Sequence, residues 1–304
     1  MSLEPRRHTL PIKNSWAKAG EHSLIFYDWG DVDSTTTTIC VHGLTRNAHD
    51  FDVIAPRLAA TGRRVFTINM AGRGESSWLA DPMGYNYGSY AADCLAIMDN
   101  FHLRKVEWLG TSMGGVIGMT IAAHHPDRIK KLILNDIGSQ LSAAALKRIY
   151  DYVQTMPSHF ETRADADAYL GLAFKPFGIT DPAQWQKFVD GSLIPNDNGT
   201  FRYACDPAIA EPLRFATQNF TEINDVNLTA LWEMVSAPTL ILHGAESDVL
   251  SADTVALMRK TNGRTESRTI EGVGHAPALM DDAQINLVIN WLNTDTSTLL
   301  ASAF

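Results

Sequence analysis

The chain has 304 residues, 45% of them hydrophobic, which suits one large α/β domain with an insertion or two modest domains. A formal charge of −9 and a pI near 5.5 argue against nucleic acid and anionic lipid surfaces as partners. Three scattered cysteines (Cys40, Cys94 and Cys205), with no CxxC pair, argue against a disulfide framework, zinc or redox chemistry. The N-terminus, MSLEPRRHTLPIKNSW, lacks an apolar stretch after its arginines, and no run approaches the roughly 20 apolar residues of a membrane span. A reduced, cytoplasmic protein is expected.

In chain order, 22–29 (HSLIFYDW) and 36–41 (TTTICV) read as strands, with Cys40 a buried thiol in the second. Residues 48–60 carry Phe51, Ile54 and Leu58 at helical spacing, and Gly62 follows as a stop. A strand at 64–68 (RVFTI), a helical face with Ala91, Cys94, Leu95 and Met98, a strand at 106–109 (VEWL), a helix from about 113 and a strand at 129–134 (IKKLIL) come next. Strands alternating with helices imply βαβ units and a parallel sheet covered on both faces. From 139 to 236 the rhythm stops. That stretch is rich in large aromatics (Tyr150, Tyr152, Phe160, Phe174, Phe177, Trp185, Phe188, Phe215, Phe220, Trp232) and contains good helix-forming sequence at 141–149. The rhythm resumes with a strand at 239–242, a helix near 252–261, a strand near 267–270 and a final helix bearing Ile285, Val288, Ile289 and Leu292 on one stripe. The tail 294–304 has little helical signal. The expected organisation is a core over 1–138 and 237–304, interrupted by a mostly helical lid over 139–236.

The strongest local signal is Gly110-Thr-Ser112-Met-Gly114-Gly115, a G-x-S-x-G motif between a strand and a helix. Such a turn needs small flanking residues, strains the serine, and sets it at a helix N-terminus that favours developing negative charge. A serine nucleophile needs a base, and the base needs an orienting acid. Two loops at strand ends supply candidates: His243-Gly-Ala-Glu246-Ser-Asp248, and Gly272-Val-Gly-His275-Ala-Pro277. Of the ten histidines, His275 fits the base best by position, while His124 and His125 lie late in the helix after the serine. Asp248, Glu246 and Asp136, which follows the strand at 129–134, all remain candidates for the acid.

These pieces, together with His42-Gly43, Asn69-Met-Ala-Gly-Arg-Gly-Glu-Ser76 and His125-Pro-Asp-Arg128, resemble the α/β-hydrolase superfamily, in particular its bacterial esterase-like and enol-lactonase-like branch. The resemblance spans roughly 40–295 apart from the insertion. It implies the order serine, acid, histidine, and carries the acid onto Asp248, leaving Asp136 as a loop anchor beneath the lid. It also implies an oxyanion hole from the backbone N–H groups of Leu44 and Met113, and a role for His42 in shaping its loop; Thr45 reads as an ordinary turn residue. The loop 69–76 departs from the family pattern, with Asn69 where aspartate is usual and Arg73 where histidine is common.

The reaction expected is hydrolysis of a small-molecule carboxylic ester through an acyl-serine, without cofactor or metal. Enol-lactones, small amides and C–C bonds of meta-cleavage products use the same triad. Aspartate-nucleophile relatives, the haloalkane dehalogenases and epoxide hydrolases, are disfavoured by Ser112. A slow-turnover receptor on the same fold is the alternative from another class. Monomer and homodimer both stay open.

Overall fold

The computed structural model describes residues 4–14, 20–219 and 223–295. Eight strands form the central sheet: β1 (Arg6–Asn14), β2 (Gly20–Trp29), β3 (Thr37–Val41), β4 (Arg64–Ile68), β5 (Val106–Thr111), β6 (Ile129–Asn135), β7 (Thr239–Gly244) and β8 (Thr265–Ile270). Their order across the sheet is β1-β2-β4-β3-β5-β6-β7-β8. β2 runs antiparallel to both of its neighbours, and every pair from β4 to β8 is parallel. β1 is not among the strands the sequence predicts. Pro11 and the charged Arg6, Arg7 and Lys13 hide it, and its edge position is where such residues are tolerated in a sheet.

Helices α1 (Ile54–Ala59), α2 (Tyr87–Asn100) and α3 (Met113–His124) belong to the first half of the core. The helix predicted over 48–60 is a 3₁₀ turn at Ala48–Phe51 followed by the short α1. Between β6 and β7 come α4 (Ala143–Gln154), α5 (Arg163–Ala173), α6 (Pro182–Ser192), α7 (Glu211–Asn219) and α8 (Thr229–Glu233). Ser142, Thr162 and Asp181 cap three of these helices through their side-chain oxygens. The same stretch holds a small sheet of three short strands, His159–Phe160, Phe201–Tyr203 and Leu193–Pro195, and a separate two-stranded pair, all too brief for any alternation to be visible in the sequence. Gln140–Leu141 pairs with Val226–Asn227, joining the two ends of this stretch. Phe220 and the tail beyond Asp295 lie outside the described residues. Helices α9 (Ala252–Thr261) and α10 (Asp282–Asn293) complete the core.

Alternation along the strands splits the core in two. Cys40, Leu109, Ile133 and Leu240 meet α1 and α10 through Ile54, Leu58, Ile285 and Val288. Ile39, Trp108, Leu132 and Ile241 point the other way, against α2, α3 and α9. With both faces covered, the loops at the carboxyl ends of β3 to β8 are left to build a site. The thiols are all buried; burial pushes that of Cys205 up to about 12, so none is a ready nucleophile.

Candidate active site

The turn after β5 is sharp because three glycines permit it. A Cβ on Gly110 would stand 2.2 Å from the Gly114 carbonyl oxygen, and one on Gly114 would stand 2.0 Å from the Val41 oxygen. On Gly115 it would meet Ile137 at 2.4 Å. Ser112 itself sits at φ 50°, ψ −112°, outside the regions L-residues prefer. Trp108 Nε1 donates to the Gly114 carbonyl at 2.9 Å and fixes the turn from below.

His275 lies between two partners. Its Nε2 is 2.9 Å from Ser112 Oγ, and its Nδ1 is 2.8 Å from Asp136 Oδ2. The acid beside the histidine is therefore Asp136, at the end of β6, and not Asp248, on which the resemblance placed it. Asp136 is fully buried, and its carboxylate also accepts from Gly244 N–H at 2.8 Å and from Ser247 Oγ at 2.6 Å. Asp248 is exposed and forms an ion pair with Arg148 of α4, its Oδ1 accepting from Nη2 at 3.0 Å. Glu246 is exposed as well. The loop after β7 thus reaches the histidine's carboxylate through Ser247, one residue short of the expected acid. Asn135 braces the arrangement, its Nδ2 donating to Thr111 Oγ1 and to the Pro277 carbonyl.

The loop after β3 faces the serine. Among the described residues, no protein acceptor takes the N–H of Leu44 or Met113, the two donors expected for an oxyanion. Two arginines hold that loop. Arg73, fully buried, donates from Nε to the Leu44 carbonyl at 2.9 Å and from Nη1 to the Ala71 carbonyl and the Tyr90 hydroxyl, with Met113 Sδ 3.6 Å from Nη2. Arg46, also buried, grips Asp50 and donates to Ser192 Oγ of α6 at 2.7 Å, while its guanidinium lies 3.8 Å from the centre of the Phe188 ring. Thr45 is more than a turn residue: its hydroxyl is 2.7 Å from the Tyr152 hydroxyl of α4.

His42 is buried at the root of this loop. Met70 N–H donates to Nε2 at 3.1 Å and Nδ1 donates to the Gly43 carbonyl at 2.7 Å, which fixes a neutral tautomer. Burial pushes its pKa down to about 3. Because the folded value lies below the unfolded value of about 6.5, the unfolded chain binds more protons between the two, and stability is lost as pH falls through that window. The urea midpoint should therefore drop on going from about pH 7 to about pH 4.5, and His42→Gln should flatten that dependence. Parallel midpoint-against-pH curves for the two proteins would show that His42 does not contribute.

A family model described as alpha/beta hydrolase fold matches residues 37–282. The chain belongs to the α/β-hydrolase family. A 3-hydroxybutyrate-oligomer hydrolase of Cupriavidus necator is 36% identical over 288 residues, covering 94% of this chain and 97% of that one. An esterase/lipase-type protein of Haemophilus influenzae is 26% identical, with 92% of each chain covered. Among solved structures, a protein of Rickettsia typhi superposes with a TM-score of 0.87 at 33% identity, over 95% of this chain and 99% of that one. An α/β-hydrolase of Novosphingobium aromaticivorans gives 0.80 at 31%, over 97% and 98%.

In this α/β-hydrolase, Ser112 and His275 open into a cavity of about 340 Å³ between the core loops and the insertion. From the insertion it is lined by Leu146, Ile149, Tyr152, Phe174 and Phe177. Other aromatics named from the sequence, Phe160, Trp185 and Phe188, pack inside the insertion, with Trp185 stacked on Phe188 at 5.5 Å. Tyr85, Tyr87 and Tyr90 line the cavity from outside the insertion, and no sequence pattern marked them. Among the described residues no group of three His, Cys, Asp or Glu side chains could hold a metal, and no helix is long and apolar enough to cross a membrane.

Proposed function

We propose that the enzyme hydrolyses carboxylic esters of small organic molecules through an acyl-serine at Ser112. The observation that carries this reading is His275, hydrogen-bonded on one side to Ser112 Oγ and on the other to the buried Asp136. His275 Nε2 takes the hydroxyl proton as Oγ attacks the ester carbonyl, and Asp136 stabilises the resulting imidazolium. The N–H groups of Leu44 and Met113 receive the oxyanion. The imidazolium then returns the proton to the departing alcohol, and a water molecule, deprotonated by the same nitrogen, releases the acid. The Cupriavidus relative is named for an oligoester, which makes short hydroxyacid oligoesters the first substrates to try.

The insertion acts as a lid in this reading, with its apolar side chains forming the wall that selects the chain. A p-nitrophenyl ester series should show an initial burst, with the acyl adduct found on the Ser112 peptide by mass spectrometry. Phe174→Ala and Phe177→Ala should shift kcat/KM between short and long acyl chains by roughly tenfold, since each removes several buried methylene-equivalents from the wall. Amides, enol-lactones and dienoates run beside the esters decide among reactions that share the triad. Binding without turnover across the panel would favour a receptor. Folded lid variants that keep the wild-type chain-length ratio would refute the lid assignment.

A further inference from the structure

We propose that Arg148 is a carboxylate-recognition residue at the rim of the cavity, and that the substrate is an ester carrying a free carboxylate on its alcohol side. The inference rests on the ester-hydrolase reading and adds the substrate's charge. The cavity wall contains two arginines and His275 but no aspartate or glutamate among its described residues, although the chain as a whole carries −9. Of the two arginines, Arg46 is committed to the half-buried Asp50 and to Ser192. Arg148 differs. It projects from α4 one residue before the wall residue Ile149, and its side chain is 46% exposed. It already holds a carboxylate in its guanidinium fork: Asp248 contacts it through both oxygens, from Nε and Nη2. That partner is 51% exposed and makes no other side-chain hydrogen bond among the described residues, so water competes for it and the pair is readily exchanged. Asp248 thus stands where a substrate carboxylate would sit, and it shows that the fork has the geometry to accept one in two-pronged fashion.

The chemistry of a linear hydroxyacid oligoester fits this placement. In such a chain every ester oxygen leads toward the carboxylate end and every ester carbonyl toward the hydroxyl end. Ser112 Oγ forms a bond to the carbonyl carbon, the C–O bond to the alcohol breaks, and His275 delivers the proton to that oxygen. The leaving alcohol then bears the carboxylate held by Arg148, while the acyl group stays on the serine until water releases it.

The experiment compares the linear dimer of 3-hydroxybutyrate with its terminal primary amide, of equal length but neutral, by chromatography of the internal ester cleavage. In the wild type kcat/KM should favour the acid. Arg148→Gln should lower the acid-to-amide ratio by about tenfold, mainly through KM, the scale of a lost charge-assisted pair. Arg148→Lys should give an intermediate ratio, because the charge remains and the fork does not. Asp248→Asn should raise the ratio several-fold by removing the competing carboxylate. Calorimetric binding of both compounds to Ser112→Ala reads the same preference without turnover. Equal losses for acid and amide in Arg148→Gln, with the ratio at its wild-type value, would mean that the ion pair only latches α4 to the core and would overturn the proposal. Preferential binding of the acid to Ser112→Ala, with no cleavage of either compound by wild type, would instead overturn the ester-hydrolase reading and leave the carboxylate site standing.

Discussion

Asp136→Asn is expected to lower kcat/KM for p-nitrophenyl esters by about four orders of magnitude, the scale seen when a triad aspartate becomes an amide in a serine protease. The carboxylate of Asp136 accepts from three donors at once: Gly244 N–H, Ser247 Oγ and His275 Nδ1. An amide offers one oxygen and one NH2, so at least one of those donors would face another donor. His275 would then be free to turn its protonated nitrogen toward Ser112, which leaves no base for the hydroxyl proton, and a forming imidazolium would lose its counter-charge in a buried place. Asp248→Asn should cost no more than about threefold on the same neutral esters, since an exposed ion pair contributes little. Ser247→Ala should fall between them, because it removes one of the donors that fix the Asp136 carboxylate but leaves its charge. Thermal melts run alongside separate lost catalysis from lost folding. A mild effect of Asp136→Asn beside a severe effect of Asp248→Asn would mean that the loop after β7 moves to present Asp248 in the working enzyme.

The same two aspartates show where the sequence was legible and where it was not. The strand–helix alternation and the G-x-S-x-G turn are local patterns, and β3 to β8, α3 and the Ser112 turn follow from them. The distance from Ser112 to His275 is 163 residues along the chain, yet His275 was recoverable because both ends of that span sit at the carboxyl ends of parallel strands. The acid was harder, since two loops offer one. Asp248 lies among Glu246 and Ser247 in a polar loop, where a carboxylate needs no partner. Asp136 follows the apolar run Leu132–Leu134 and precedes Ile137, in a setting that buries it, and a buried carboxylate must be satisfied by donors. Asp248 also borders a buried apolar pair, Val249-Leu250, so the flanking residues alone do not separate the two loops; the burial of Asp136 and its three donors do. Arg46, Arg73 and the tyrosines at 85, 87 and 90 had no local signal. Their roles depend on which loops the fold brings together: Arg73 meets Leu44 across 29 residues and Arg46 meets Ser192 across 146. Buried arginines are costly unless fully bonded, so their positions become informative only once their acceptors are known.

Ser112→Ala is expected to reduce ester kcat/KM by about a millionfold, leaving the residual rate that oxyanion donors and binding supply without a nucleophile. The Leu44 and Met113 N–H groups are backbone and survive the change, so substrate binding should persist and labelling by a fluorophosphonate should vanish. A second substitution at the same position tests the backbone separately. Ser112 holds φ 50°, ψ −112°, a conformation that costs a non-glycine residue about 1–3 kcal/mol. Alanine keeps its Cβ and so keeps that cost. Glycine removes it, against an entropic penalty of about 0.5–1 kcal/mol from the freer unfolded chain. Ser112→Gly should therefore be the more stable of the two inactive variants by about 1 kcal/mol, or roughly 1–2 °C in Tm for a chain of this length. The two proteins lack the same hydroxyl and the same hydrogen bond to His275, so their difference isolates the strain that the turn imposes at position 112. If Ser112→Gly melts at or below Ser112→Ala, the conformation at the turn is not strained in solution, and the serine is held there at no cost to the fold.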